Sequence, residues 1–244
     1  SVADVGGGMF GAIGVMMALE TRHRTGRGQR VDTSLLEGHI AMLAQFFTRY
    51  FSSGEVPGPS GSGALTSPTY RAYQASDQWI VISAFNQRMW KGLCAALEQP
   101  EWLEDSRFID PQMRALNRPL LIELIGAEII KQPLAYWEKR LKENDVPCSP
   151  VNTIDKVVEQ PQVRARDMIQ EIDLEGLGMM SMAGLPIKFS ESPGSVRLPP
   201  PRLGQHTAEI LTEMGYAPEQ INVLAEQGAI GLDQGWVKID RARD

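Results

Sequence analysis

The chain has 244 residues, enough for one large domain or two small ones, and its 43% hydrophobic and 22% charged residues exclude disordered and fibrous proteins. A net charge of −6 provides no long-range attraction for nucleic acid or anionic lipid, so neither nucleic acid nor a membrane is an expected partner. The longest strongly apolar stretch, Met9–Leu19, is shorter than the ~20 residues that cross a bilayer. Two cysteines are too few for a disulfide scaffold, and no leader pattern opens the chain, so a cytoplasmic protein is expected.

A glycine-rich segment leads into the first predicted helix. Asp4 and the glycines at 6–8 precede apolar residues at Phe10, Ile13 and Met17, whose spacing indicates one buried helical face. Gly26 follows a cationic run and is expected to end this helix. Asp4 therefore lies at or just before a helix N-terminus. Since the chain opens with Ser rather than Met and the helix follows at once, we expect it to be part of a longer polypeptide.

A short strand and a second helix are predicted next. Gln29–Thr33 has a strand pattern, and Ser34 with Glu37 forms a capping box for an apolar helix that extends to Phe51. The order of helix, strand and helix is typical of an α/β fold, and residues 1–55 are assigned to part of a large domain. Residues 56–68 are rich in Gly, Ser and Pro and are predicted to form a crossing loop.

Two regions follow the loop. Residues 69–168 are predicted to form a small α+β domain, and residues 169–244 a return linker with C-terminal helices that pack on the large domain. Strands are predicted at 79–83, around Ile172 and at 187–189. Helices are predicted to begin near Asn86, Asn117, Asp155, Thr207 and Glu219, with a further helix carrying Trp137 and Leu141.

Asp4 is the candidate catalytic residue. A carboxylate at a helix N-terminus, beside glycines that allow close approach of a ligand, is suited to act as a nucleophile. The structural alternative is an N-cap, for which Asp is among the commonest residues. The glycines at 6–8 fit neither the dinucleotide fingerprint nor the P-loop, and helix packing is the alternative for them.

A second candidate is the group Gly61, Ser62 and Gly63 in the crossing loop. Such a loop can close over a reacting centre and donate backbone N–H groups, although a plain linker has the same composition.

The other histidine, serine, cysteine and tryptophan side chains that were considered are predicted to have structural roles. The histidines at 23, 39 and 206 do not have metal-ligand spacing, so no metal is expected. Ser34 lies in a capping box rather than a nucleophile elbow, and neither cysteine has an activating histidine nearby in sequence. The tryptophans at 79, 90, 102 and 137 are predicted to pack in the core.

The chain resembles the family III CoA-transferases, which include formyl-CoA and carnitine CoA-transferases and the related α-methylacyl-CoA racemases. The resemblance begins with the runs 1–14 and 24–37, which contain Asp4 and Gly28. Further matches follow in order over nearly the whole chain: Asp77–Ile82, Asn117-Arg118, Val146–Asn152, Pro161–Arg166, Pro186–Ser190 and Leu203–Thr207.

The resemblance implies an architecture. Residues 1–55 would belong to a Rossmann-like large domain of the nucleotide-binding type, the chain would be roughly the second half of the enzyme, and two subunits would interlock as a homodimer. The residues that bind CoA lie mostly in the family's first half, so none is assigned here. Activity would require that N-terminal half.

The resemblance also implies a mechanism. The Asp4 carboxylate matches the family's catalytic aspartate, which attacks an acyl-CoA thioester and carries CoA, through mixed anhydrides and an aspartyl-CoA thioester, to a small carboxylic acid. Gly61, Ser62 and Gly63 match the mobile glycine loop that shields these intermediates from water. The CoA thioester is a substrate, and no cofactor or metal is implied.

Two other functions stay open. In the racemases, an aspartate and an upstream histidine exchange the α-proton of an acyl-CoA, and the sequence Asp4–Gly8 resembles that version of the motif. Against it, Asn86–Trp90 follows the transferase pattern. The other alternative is a non-catalytic fragment or scaffolding subunit, whose exposed apolar helices would need a partner.

Overall fold

The structure is a computed structural model that describes residues 1–64, 67–174 and 176–235. These residues form two units, which divide between Pro150 and Val151. The helices of the first unit are α1 Val2–Thr25, α2 Leu35–Met42, α3 Ala44–Ser53, α4 Gln87–Ala96, α5 Pro111–Leu116, α6 Arg118–Ile129 and α7 Leu134–Glu143, with a 3₁₀ helix at Pro100–Leu103. Its strands are β1 Tyr70–Gln74, β2 Trp79–Ser83 and β3 Cys148–Pro150. The second unit contains α8 Ile154–Glu159, α9 Pro161–Ala165, β4 Ile169–Leu174, β5 Gly178–Ala183, α10 Thr207–Glu213 and α11 Pro218–Glu226.

The core of the first unit lies between a small antiparallel sheet and three helices. The sheet has the order β1-β2-β3, with Tyr73 opposite Ile80 and Ile82 opposite Cys148. Ile80 and Ile82 are fully buried because alternate residues of β2 face the helices. α4, α6 and α7 cover this face, and burial of each large apolar side chain contributes about 1.5–3 kcal/mol.

Several predicted elements are confirmed. β2 occupies the predicted strand, and α4 begins after Asn86, whose Oδ1 accepts a hydrogen bond from the Met89 N–H at 2.9 Å. Ser34 caps α2 as predicted, and Gly26 ends α1 with φ 72°. β4 forms around Ile172. α6, α7, α10 and α11 also lie where helices were predicted.

Other predicted elements are wrong in detail. Gln29–Thr33 is not a strand, because no strand in the described part of the chain pairs with it; its Val31 packs on Gly14 of α1, where an added Cβ would lie 2.8 Å from Val31 Cγ1. Residues 187–189 do not form a strand either, since nothing in the described part of the chain pairs with them. The helix predicted from Ser34 is divided at Leu43 into α2 and α3. Asp155 lies inside α8, and Thr153 occupies its N-cap.

The helix α1 is mostly exposed, with Gly6 as its buried residue. Its 24 residues are long and apolar enough, by length and composition alone, to cross a membrane. A helix that packs inside a soluble protein passes the same test, so this is weak support for a membrane span. The short length of Met9–Leu19 does not exclude a membrane segment, because the helix that contains this stretch is longer. The absence of a membrane segment therefore stays a prediction.

The predicted domains, residues 1–55, 56–68, 69–168 and 169–244, also stay a prediction. Residues 65–66 of the crossing loop, residue 175 and residues 236–244 lie outside the described residues.

Candidate active site

Asp4 lies in the first turn of α1. Asp4 lies inside the helix rather than at its N-cap, so the alternative in which Asp4 is the cap is wrong. The Asp4 side chain is exposed, and within the described residues it forms no hydrogen bond or ion pair. The first turn of a helix carries a partial positive charge that favours negative charge on neighbouring oxygens. An accessible carboxylate in this position can attack an electrophile.

The three glycines after Asp4 have two different environments. An added Cβ at Gly6 would lie 2.6 Å from Met42 Cε, and one at Gly7 would lie 2.5 Å from Leu35 Cδ2, so both positions pack against α2. An added Cβ at Gly8 would meet nothing within 4 Å. Helix packing is therefore confirmed for the first two glycines. Gly8 is four residues after Asp4, on the same helical face, and leaves open space beside the carboxylate.

The contacts between α1 and α2 indicate where the Asp4 end of α1 lies. Gly14 lies next to Val31, Gly7 next to Leu35, and Gly6 next to Met42. Residues 31–35 therefore run antiparallel to α1, and α2 crosses α1 at Gly6 and Gly7, because the first and the last residue of α2 both contact this point. The Asp4 end of α1 lies toward the C-terminal end of α2, where α3 begins.

The glycine loop forms a hydrogen-bonded turn. Gly61 has φ 62°, a conformation that glycine adopts without strain. The Gly63 N–H donates to the Ser60 carbonyl oxygen at 3.2 Å, and the Ala72 N–H donates to Ser62 Oγ at 3.2 Å. The second of these hydrogen bonds ties the loop to β1.

Two arginines, Arg71 and Arg118, pack against the glycine loop. Arg118 Nη1 donates to the Ala64 carbonyl oxygen at 2.8 Å, and an added Cβ at Gly63 would lie 2.9 Å from Arg118 Nη2. The same Cβ would lie 3.4 Å from Cβ of Arg71. The sequence matched Asn117-Arg118 to the family without giving it a role, and it gave no signal for Arg71.

A cavity of about 410 Å³ lies between α3 and the glycine loop. Its helix side is formed by Gln45, Phe46 and Arg49, and its loop side includes Ser60 and Gly63. The sequence analysis did not single out these three α3 residues, because a polar helix position such as Arg49 is usually assigned to a solvated face and an apolar one such as Phe46 to helix packing.

Aromatic rings form the other walls of this region. Tyr70 and Phe85 line the same cavity, with ring centroids 4.7 Å apart. Phe46 also lines a second, apolar cavity of about 310 Å³, together with Tyr50 and Val56. The cavity beside the glycine loop thus shares Phe46 with a second, more strongly apolar cavity.

The cysteines are poor nucleophiles in this structure. Cys94 is fully buried, and burial raises the pKa of its thiol to about 12. Burial also raises the pKa of the Cys148 thiol. Among the residues that the structure describes, no group of three His, Cys, Asp or Glu side chains could hold a metal ion. Three of the predicted core tryptophans are buried, whereas Trp79 is 49% exposed on β2 and that prediction is wrong.

Comparison with known proteins identifies the family. The family model described as CoA-transferase family III matches residues 1–207. The succinyl-CoA:mesaconate CoA-transferase of Haloarcula marismortui is 32% identical over 218 residues, which cover 88% of this chain and 54% of that protein. The mouse succinyl-CoA:glutarate CoA-transferase is 28% identical over 214 residues, covering 88% of this chain and 49% of that protein.

The chain is also similar to a solved structure. The crystal structure of a CaiB/BaiF family protein from Brucella suis superposes with a TM-score of 0.69 at 29% identity, covering 87% of this chain and 55% of that one. The chain spans about half the length of the curated relatives it matches. Since the family model covers most of the sequence, the chain belongs to CoA-transferase family III.

Proposed function

We propose that this chain carries the nucleophile of an enzyme that transfers coenzyme A from an acyl-CoA donor to a carboxylic acid. The observation that carries the proposal is the exposed Asp4 carboxylate in the first turn of α1, with open space at Gly8 on the same face. Membership of the family supports it. Activity is proposed to require further polypeptide corresponding to the rest of the relatives' length.

The proposed reaction begins with attack of an Asp4 carboxylate oxygen on the thioester carbonyl carbon of the donor. The C–S bond breaks, which leaves a mixed anhydride on Asp4 and a free CoA thiolate. The thiolate then attacks the aspartyl carbonyl carbon, forms the aspartyl-CoA thioester and releases the donor acid. An oxygen of the acceptor carboxylate attacks the aspartyl thioester carbon, the C–S bond breaks, and a second mixed anhydride and CoA thiolate result. The thiolate then attacks the acceptor's acyl carbon, which forms the new acyl-CoA and releases the Asp4 carboxylate. Since each step exchanges one activated acyl bond for another, no redox reagent is needed.

The glycine loop has a protective role in this proposal. Anhydrides and thioesters react with water, so a loop that covers them favours transfer over hydrolysis. Gly61, Ser62 and Gly63 supply this cover, and the hydrogen bonds from Ala72 to Ser62 and from Arg118 to Ala64 fix its base. Backbone N–H groups of the loop could also stabilise an oxyanion.

The substrates are proposed to be an acyl-CoA and a short dicarboxylic acid. The relatives from Haloarcula and mouse are named for succinyl-CoA with mesaconate and with glutarate, which all carry a second carboxylate. The CoA thioester is a substrate rather than a resident cofactor, and the residues that bind CoA are not assigned.

The proposed assembly follows the family resemblance. Residues 1–55 are proposed to be part of a Rossmann-like large domain, residues 69–168 a small domain, and two copies to interlock in the cytoplasm. Nucleic acid and membrane are not proposed partners.

Trapping of the covalent intermediate tests the function. The complete natural polypeptide that carries these residues is incubated with acyl-CoA donors, quenched with hydroxylamine or borohydride and examined by peptide mass spectrometry. We expect modification of Asp4. Asp4→Ala should abolish it and lower transfer at least about 1,000-fold, because the nucleophile is lost. Glu20→Gln, a second exposed acid on α1, should change neither.

Other outcomes would contradict the proposal. Exchange of the α-proton of an acyl-CoA for deuterium, without an adduct at Asp4, would indicate a racemase. Absence of both signals would leave the non-catalytic or scaffolding function.

A further inference from the structure

We propose that the cavity between α3 and the glycine loop binds the free carboxylate of a dicarboxylic acyl group, and that Arg49 is the residue that selects it. This inference rests on the proposed function, because it assigns the substrate class to a particular residue of the same site. It goes beyond the family assignment, which gives no role to α3.

The first observation is the charge of the cavity. Arg49 lines it together with the polar side chains of Gln45 and Ser60, and the described lining residues include no Asp or Glu. A second cation is near, since an added Cβ at Gly63 would lie 3.5 Å from Arg71 Nη1. Two guanidinium groups therefore lie in or beside the cavity, against the single carboxylate of Glu55, which pairs with Arg49, in a chain whose net charge is −6.

The second observation is the state of the Arg49 guanidinium. Its Nη2 lies 2.7 Å from Glu55 Oε2, and the two side chains are 38% and 61% exposed. An ion pair this exposed contributes ~0–1 kcal/mol. The guanidinium carries five N–H donors, so a ligand carboxylate can bind the remaining ones or replace Glu55.

The third observation is the shape of the site. The rings of Phe46, Tyr70 and Phe85 line the cavity and give an apolar surface for the methylene chain of a diacid. A volume of about 410 Å³ is in the range of small-molecule sites and is ample for a short dicarboxylic acyl chain.

The fourth observation concerns the path of the substrate's acyl chain between Asp4 and Arg49. The Asp4 end of α1 lies toward the start of α3, and Gly63 of the glycine loop forms part of the cavity wall. Met42, which packs on Gly6, directly precedes α3, and the cavity begins at Gln45, so we infer that the acyl chain of a substrate held at Asp4 runs along α3 toward Arg49.

Two donors of equal chain length test the proposal. Succinyl-CoA ends in a carboxylate and butyryl-CoA ends in a methyl group, and transfer from each is measured with the complete natural polypeptide. Arg49→Met should lower kcat/KM for succinyl-CoA about 10- to 100-fold, the loss of a hydrogen bond to a charged group. The loss with butyryl-CoA should be much smaller, so that the ratio of kcat/KM for succinyl-CoA to kcat/KM for butyryl-CoA falls. An equal loss with both donors, or no loss with succinyl-CoA, would overturn the proposal.

Glu55→Gln separates ligand binding from a structural role. If Arg49 mattered only through its ion pair with Glu55, this variant would reproduce the defect of Arg49→Met. We expect instead that it keeps the preference for succinyl-CoA, because the guanidinium is still present. Arg49→Lys should keep part of that preference, since the charge remains but the planar fork is lost.

A binding measurement tests the inference independently of enzyme activity. Calorimetric titration with succinate and with butyrate should show tighter binding of succinate, and Arg49→Met should remove the difference. Absence of transfer by the unaltered protein would overturn the proposed function. Equal binding of the two acids by the unaltered protein would overturn this inference.

Discussion

Gly63 lies against the guanidinium of Arg118, so closely that a Cβ at position 63 would be 2.9 Å from Arg118 Nη2. The same guanidinium donates to the carbonyl oxygen of Ala64 through Nη1. A side chain at 63 therefore cannot be added without moving a group that holds the next residue of the loop.

We expect Gly63→Ala to loosen the glycine loop. Displacement of Arg118 weakens its hydrogen bond to Ala64, which should cost about 0.5–1.5 kcal/mol of unfolding free energy. Because the loop is proposed to shield the activated acyl group from water, hydrolysis of acyl-CoA should also increase relative to transfer. Gly58→Ala in the same crossing loop is the control, because an added Cβ there meets nothing within 4 Å. Denaturant titration and product analysis measure both effects, and equal behaviour of the two variants would contradict the expected role of Arg118.

Gly8→Ala should separate stability from activity. Alanine favours a helix by up to about 1 kcal/mol over glycine, and open space surrounds this position, so thermal stability should rise. The new methyl group lies one turn after Asp4, where the proposed acyl group must approach. We expect kcat/KM to fall while the melting temperature increases. A variant with higher stability and full activity would show that the substrate does not pass over Gly8.

The sequence predicts those features of the fold and of the site that depend on residues close to one another in the chain. The caps at Asn86 and Ser34 and the end of α1 at Gly26 depend on neighbours within a few residues, and the sequence predicted them. The hydrogen bond from Arg118 to Ala64 joins residues 54 positions apart, and no sequence pattern signals such a contact.

Tertiary packing also explains the predictions that were wrong. Gln29–Thr33 has the residue pattern of a strand, but no strand in the described part of the chain pairs with it, and Val31 packs on Gly14 of α1. The cavity at Arg49 depends on the glycine loop, on Tyr70 of β1 and on Phe85 after β2, all of which follow α3 in sequence. The role of Asp4 and of the glycine loop came from resemblance to a family rather than from residue pattern, and it stays a prediction.

Gly92 should be the least replaceable glycine of the core. An added Cβ there would lie far inside van der Waals contact of the Asn144 backbone carbonyl oxygen and 3.0 Å from Val146 Cγ2. Because backbone cannot move as a side chain can, Gly92→Ala should destabilise the protein by about 1–3 kcal/mol. Gly126→Ala in α6 is the matched control, since its Cβ would lie 3.9 Å from Tyr73 Cδ1, an ordinary contact. It should be neutral or stabilising, and chemical denaturation compares the two.

Arg114 is expected to stabilise the aromatic core. It is 4% exposed, its guanidinium lies 4.9 Å from the centroid of the Trp90 ring, and it donates to the Phe108 carbonyl oxygen at 2.8 Å and to Gln87 Oε1 at 3.0 Å. Arg114→Met leaves both acceptors without this donor and should cost about 1–3 kcal/mol. Arg88→Met, at an exposed position of α4, should change stability by less than about 0.5 kcal/mol. Equal effects in denaturant titration would contradict the role of the buried guanidinium.

Cys94 should make the first unit sensitive to alkali. Burial raises its pKa from 9.0 to about 12 in the folded protein, so the folded state keeps the thiol protonated where the unfolded state ionises it. The unfolded state therefore binds fewer protons between these values, and the free energy of unfolding should fall as pH rises from about 9 toward 12. Below pH 9 both states are protonated, and the contribution is fully present. Cys94→Ala should be less stable at neutral pH because it leaves a cavity, but its stability should decline less steeply above pH 9. Denaturant titrations at a series of pH values measure this slope, and identical slopes for the two proteins would show that Cys94 is not the group responsible.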